Sequence, residues 1–149
     1  MARIQRSGFA PVTPLVAQRL WLDTNRWPTF VDGFGHVLEQ DASWPEPRSK
    51  VVWQSGPAGR GRVTERIRDN GDGVVATEVF DSQMTAIQAI RFEPTEDGCE
   101  VFLSLDYELT SGGPLRKVTD ALFIRRSLAM ALERTLRRFS TEAADEATL

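Results

Sequence analysis

Glu65 is the residue of this 149-residue sequence with the most chemistry to offer. It sits in Arg62–Arg68, where Val63, Glu65 and Ile67 fall on one face of an alternating strand and the basic residues on the other. A carboxylate on an apolar face loses water, its pKa rises, and proton transfer near neutral pH comes within reach. The plainer readings are an ion pair at a sheet edge, or a carboxylate in water at an open mouth. Tyr107 belongs to the best alternation in the chain, Cys99–Leu109, and shares its face with Val101, Leu103, Leu105 and Leu109. A hydroxyl there needs a partner, either a structural bond or the carbonyl of a ligand. Gln88 falls on a face with Met84, Ala86, Ile90 and Phe92, and Trp53 offers a flat apolar wall. His36 is the only histidine, and by intrinsic pKa the best neutral-pH base. It follows Gly35 at a strand start, where a surface position is the plainer reading. The catalytic candidates are therefore Glu65 and His36, and the ligand contacts Trp53, Glu65, Gln88, Leu105, Tyr107 and, from the final helix, Leu128.

Other chemistries are poorly served. One cysteine, Cys99, allows no internal disulfide and no thiolate cluster, and one histidine allows no multi-histidine metal site. Neither a metal nor a cofactor is expected. Gly59-x-Gly61 lies between strands rather than before a helix, so it is no nucleotide fingerprint. Arg60, Arg62, Arg66 and Arg68 make a basic stripe that reads as a solvated sheet face; a net charge of −3 argues against nucleic acid as its partner. Nothing approaches the ~18 apolar residues of a membrane span, and the N-terminus lacks the apolar core of a secretion signal. With the lone cysteine, these features point to the cytoplasm.

These side chains must be positioned by strands. Arg3–Phe9 reads as a first strand, Thr13-Pro14 as a helix start running to about Asp23, and Trp27–Phe34 as a second short helix packed under a sheet edge. From His36 the period changes to two. Strands are expected over His36–Asp41, Lys50–Gln54, Arg62–Arg68, Val74–Phe80, Met84–Phe92 and Cys99–Leu109, joined by Gly-rich turns such as Asn70-Gly71-Asp72-Gly73. Short turns make the neighbours antiparallel, and a one-layer sheet with an apolar face needs a cover. The cover is the stretch from Pro114 to about Glu142, where Ala121, Ile124, Leu128, Leu132, Leu136 and Phe139 recur at helical spacing. That stripe serves core packing first, and a cavity wall or a homodimer contact second. The acidic tail 141–149 is expected to fray. The reading is a single α+β domain over 1–149: a curved antiparallel sheet of about seven strands wrapped around a long C-terminal helix.

This order resembles the helix-grip fold of the START-like (SRPBCC) superfamily, nearest to proteins labelled polyketide cyclase/dehydrase or lipid-transport-like. The resemblance covers essentially the whole chain. It is carried by Trp27-Pro28-x-Phe30, Trp53-Gln54-Ser55, Gly59-Arg60-Gly61-Arg62-Val63, Phe92-Glu93-Pro94 with Asp97-Gly98-Cys99-Glu100-Val101, and the final helix. Cys99 stands where many relatives have Thr. The resemblance implies a deep, largely apolar cavity between sheet and helix, suited to a lipid, sterol or polyketide-like aromatic compound. The Ser55-Gly56-Pro57-Ala58 loop is similar to the gate loop of the plant abscisic acid receptors, which implies a lid. Three functions follow: a binder of a small hydrophobic ligand, which is the leading one; a cyclase/dehydratase-type enzyme using Glu65 or His36 and Tyr107; or an interaction protein with a filled cavity.

Overall fold

The computed structural model describes residues 1–56, 60–110 and 118–148, with backbone alone at 118–120. In chain order the elements are β1 (Ala2–Ala10), α1 (Pro14–Leu22), a 3-10 turn (Thr24–Arg26), α2 (Trp27–Phe30), β2 (Phe34–Gln40), β3 (Lys50–Ser55), β4 (Arg62–Gly71), β5 (Val74–Phe80), β6 (Met84–Thr95), β7 (Gly98–Leu109) and α3 (Val118–Ala147). The sheet order is β1-β7-β6-β5-β4-β3-β2, antiparallel throughout. The expected fold is therefore present. The expected start of the long helix at Pro114 lies outside the described residues.

Register fixes which side chains face inward. Glu65 lies opposite Val51 on β3 and Val79 on β5, Val79 opposite Ala86 on β6, and Ala86 opposite Tyr107 on β7. One row thus crosses the sheet on a single face. That face looks toward α3: a Cβ built on Gly8, opposite Val101, would lie 3.8 Å from the Leu136 Cβ. Bulges between Phe34 and His36, Val37 and Glu39, and Ile67 and Asp69 bend the outer strands. Gly98 is required by close approach. A Cβ there would meet the Ala10 carbonyl oxygen at 2.2 Å, where β1 comes alongside the start of β7.

α3 runs along β1 and against α2. Leu132, Leu136 and Phe139 are buried as their spacing predicts, and Ala129 and Ala143 extend the stripe. Phe139 gathers Trp21, Phe30 and Phe92 around it, with ring centroids 5.5, 5.2 and 6.2 Å away. The short helix α2 packs against the edge strand β2 as expected, Trp27 on Phe34 with ring centroids 6.0 Å apart, and also on α3 through Phe30. The structure departs from the expectations at the two ends of α3. Toward the start of α3, Ala121 is exposed and Leu128 only half-buried, away from the aromatic cluster around Phe139. α3 continues to Ala147 through the stretch expected to fray, with Ala143 fully buried.

Ion pairs help to hold that last stretch. Arg26 reaches Glu142 and Glu146, two acids one turn apart on α3. Replacing Arg26 with Ala is expected to weaken the end of the helix by about 1 kcal/mol or less. Hydrogen exchange should accelerate severalfold at amides 143–147 while the global melt barely moves. Unchanged exchange there would mean that Ala143 packing alone holds the end.

Candidate ligand-binding site

Glu65 is 7% exposed and sits on the face toward α3. The Trp53 indole Nε1 donates to its Oε2 at 2.7 Å. Burial pushes the carboxyl pKa up; the indole hydrogen bond and the field of Arg60 pull the other way. The sequence-based expectation of a desolvated carboxylate is met, with an added partner that alternation could not show. Trp53 is buried beside Phe34, with ring centroids 5.2 Å apart.

Arg60 leaves the basic stripe to which its spacing assigned it. Its Nε donates to Asp81 Oδ2 at 2.7 Å. Asp81 is nearly buried, and its Oδ1 accepts from the backbone N–H groups of Gln83 and Met84, fixing the β5–β6 turn. Arg60 Nη2 is buried and finds no hydrogen-bond partner among the described residues, and the same holds for Thr77 Oγ1. Thr77 lies opposite Ile67 and Gln88 on the inward face, two residues from Val79. Arg62, Arg66 and Arg68 stay exposed, as expected.

The other candidates divide. Leu105 and Tyr107 are buried on the same face, opposite Ile4 and Ala2 of β1, and Gln88 lies opposite Leu105. His36 does not join them: it is exposed on the edge strand β2, opposite Gln54. The bulges that irregularly pair β2 with β3 carry it away from Glu65. Leu128 is half-buried on α3. Ser55 closes the base of the β3–β4 loop, its Oγ accepting from the Gly61 N–H at 2.7 Å. Positions 57–59, which include Pro57 and Ala58 of the expected lid, lie outside the described residues. Thr77 was legible, as the polar residue in the inward row Val75-Thr77-Val79. The Arg60–Asp81 pair was not, because nothing in local spacing joins two loops 21 residues apart.

Among the described residues, two of the surface clefts measure about 650 and 400 Å³. Both lie between β1 and α3, and neither is lined by Glu65, Gln88 or Tyr107. Among the described residues no group of histidine, cysteine or carboxylate side chains is arranged to hold a metal. None of the described helices is long and apolar enough to cross a membrane.

No family model matches the chain, and no curated protein matches it. Solved structures do. The crystal structure of TTHA0849 from Thermus thermophilus superposes with a TM-score of 0.77 at 16% identity, over 97% of this chain and 99% of that one. The di-domain ARO/CYC StfQ from the steffimycin biosynthetic pathway gives 0.78 at 14% identity, over 99% of this chain and 52% of that one. The fold is the helix grip. Truncated norcoclaurine synthase from Thalictrum flavum shares the helix grip too, with a TM-score of 0.68 at 12% identity over 93% and 91% of the two chains. At these identities the likeness is one of fold, and function rests on the side chains of this chain.

Proposed function

We propose that the protein binds a small, largely hydrophobic molecule carrying at least one oxygen, on the inward face between the sheet and α3. The carrying observation is Thr77 Oγ1, a buried hydroxyl without a partner among the described residues, in an otherwise apolar row of Val75, Val79, Ala86 and Ile90. Such a group costs about 1–3 kcal/mol unpaired, which a ligand oxygen would recover. Gln88, Tyr107 and the Glu65–Trp53 pair are the further polar points on that face. An apolar surface with a few polar anchors is the usual character of a small-molecule site. The occurrence of the same fold in an ARO/CYC and in norcoclaurine synthase supports this class of ligand.

A ligand burying about 300 Å² of apolar surface gains roughly 7–8 kcal/mol before the entropic cost of binding. Micromolar affinity needs about 8 kcal/mol net, so polar anchors must contribute. Fluorescent fatty acids, sterols and aromatic polyketides should include a ligand that binds at tens of micromolar or better. Tyr107→Phe should weaken a carbonyl-bearing ligand about fivefold to tenfold, with the melt unchanged. Failure of all three classes at those concentrations would favour an interaction protein with a filled interior.

The enzyme reading retains one specific support. Glu65 is a buried carboxyl whose pKa burial raises, held by Trp53 and near the charge of Arg60, and so suited to hold a proton above the usual carboxylate range. The exposed His36 leaves that role to Glu65. Turnover that Glu65→Gln abolishes while binding persists would establish a cyclase- or dehydratase-type activity.

A further inference from the structure

Two loops meet at one end of the sheet, and one of them brings a cation to the inward side. Arg60 precedes β4 and Asp81 follows β5, and those strands are neighbours. Asp81 continues the inward alternation of Val75, Thr77 and Val79. Its N–H donates to the Met84 carbonyl oxygen at 3.1 Å, so the ladder holds up to the turn. The Asp81 side chain is 3% exposed, and bonding to it draws the Arg60 guanidinium to the same side. Arg–carboxylate pairs are frequently bidentate, but here Asp81 Oδ1 is taken by the N–H groups of Gln83 and Met84. Only Nε of Arg60 is therefore matched by Asp81. Nη2 is buried and spare, with no partner among the described residues.

We infer that the molecule bound on the inward face is an acid, its carboxylate accepting from Arg60 Nη2. This rests on the functional reading above and names the class of its ligand. The apolar body then runs from the loop end along β5, past Val79. Asp81 and Thr77 are four residues apart in the chain, about 13 Å at the usual strand rise. A second ligand oxygen at roughly that distance from the carboxylate would reach the unpaired Thr77 Oγ1. An acid fits Nη2 better than a ketone or an ester. A bond between a charged donor and an ionised acceptor is about twice as strong as a neutral one. Apolar surroundings penalise a bare carboxylate, so a greasy site without a buried cation takes the ester in preference to the acid. The anions already present leave room for one more. Asp81 spends one oxygen on backbone N–H groups, and Glu65, which feels the Arg60 charge, is biased by burial toward its neutral form. Arg62, Arg66 and Arg68 are exposed and do not compete for the inward site.

The test compares acids with their uncharged partners: cis-parinaric acid with its methyl ester, and pyrenebutyric acid with pyrenebutanol, each titrated by its own fluorescence. Wild type should bind at least one acid about tenfold or more tighter than its partner. In Arg60→Met that ratio should fall to one or below. In Asp81→Asn it should rise severalfold, because the guanidinium is no longer shared with a carboxylate while an amide oxygen still accepts from Gln83 and Met84. Thermal melts accompany both variants, and the second decides the matter should the first fail to fold. A wild-type ratio near one would overturn the inference, and so would a ratio that Asp81→Asn leaves unchanged or lowers. An acid preference that survives Arg60→Met would overturn it too, by seating the carboxylate on the arginines that line the clefts between β1 and α3. Binding of an ester, a sterol or a polyketide on the inward face with no preference for acids would remove this inference and leave the functional reading standing. No binding by any of these compounds would remove both.

Discussion

Phe139→Ala is expected to destabilise the fold by about 3–5 kcal/mol. The ring is 1% exposed and touches aromatic side chains from three elements: Trp21 of α1, Phe30 of α2 and Phe92 of β6. Removing it deletes the apolar burial of a whole ring and leaves a hole that three stiff aromatic neighbours refill poorly. Against a typical total of about 5–15 kcal/mol, such a loss puts the variant near its unfolding midpoint under mild denaturant. Urea melts of wild type and variant measure it directly. A cost below about 1 kcal/mol would mean that α3 does not grip the sheet through this cluster.

The second large effect concerns Glu65. Burial raises the carboxyl pKa in the folded protein above its value in the unfolded chain. The folded state therefore holds a proton that the unfolded state gives up more readily. The stability from that proton is fully present below the unfolded pKa and is lost as pH rises through the folded one. Asp32, held below the usual carboxylate range first by its hydrogen bond from Arg134, and Glu142, held low by hydrogen bonds from Thr29 and Arg26, act in the opposite sense as pH falls. The difference between wild type and Glu65→Gln isolates the buried carboxyl. Gln cannot ionise and keeps an oxygen to accept from the Trp53 indole. The variant should match the wild type in mild acid and become progressively more stable than it toward neutral and alkaline pH. Parallel curves across that range would show that Glu65 is not desolvated in the folded protein. Glu65→Ala is expected to be worse than Gln at low pH, since it leaves the Trp53 N–H buried without a partner, at about 1–3 kcal/mol.

Much of this was legible before the structure, and for an identifiable reason. Period two places Glu65, Gln88 and Tyr107 on inward faces, and register then carries them onto one face without further information. The stripe of Leu132, Leu136 and Phe139 follows from period 3.6 in the same way. What local pattern could not show depends on contacts between distant segments. The Trp53–Glu65 hydrogen bond needs the β3–β4 register, Arg60–Asp81 joins two loops, and the bulges that turn His36 outward leave no mark in composition. The tail 141–149 looked frayed because Thr141, Glu142, Asp145 and Glu146 are polar. Arg26, the partner of Glu142 and Glu146, lies more than a hundred residues away in sequence, so its ion pairs were invisible.

The central claim is that a hydrophobic molecule lodges on the inward face beside Glu65, and the Trp53 indole N–H is a built-in reporter of that place. Nuclear magnetic resonance of the tryptophan side chains, during titration with the best ligand from the binding series, reads it directly. The Trp53 indole signal should shift saturably with ligand. The Trp27 indole, which donates to the Trp21 carbonyl oxygen in the aromatic cluster behind α2, should stay nearly still. A Trp53 signal that holds its position while signals from Leu122, Phe123 and Met130 move would place the ligand in the larger cleft between β1 and α3 and contradict the account.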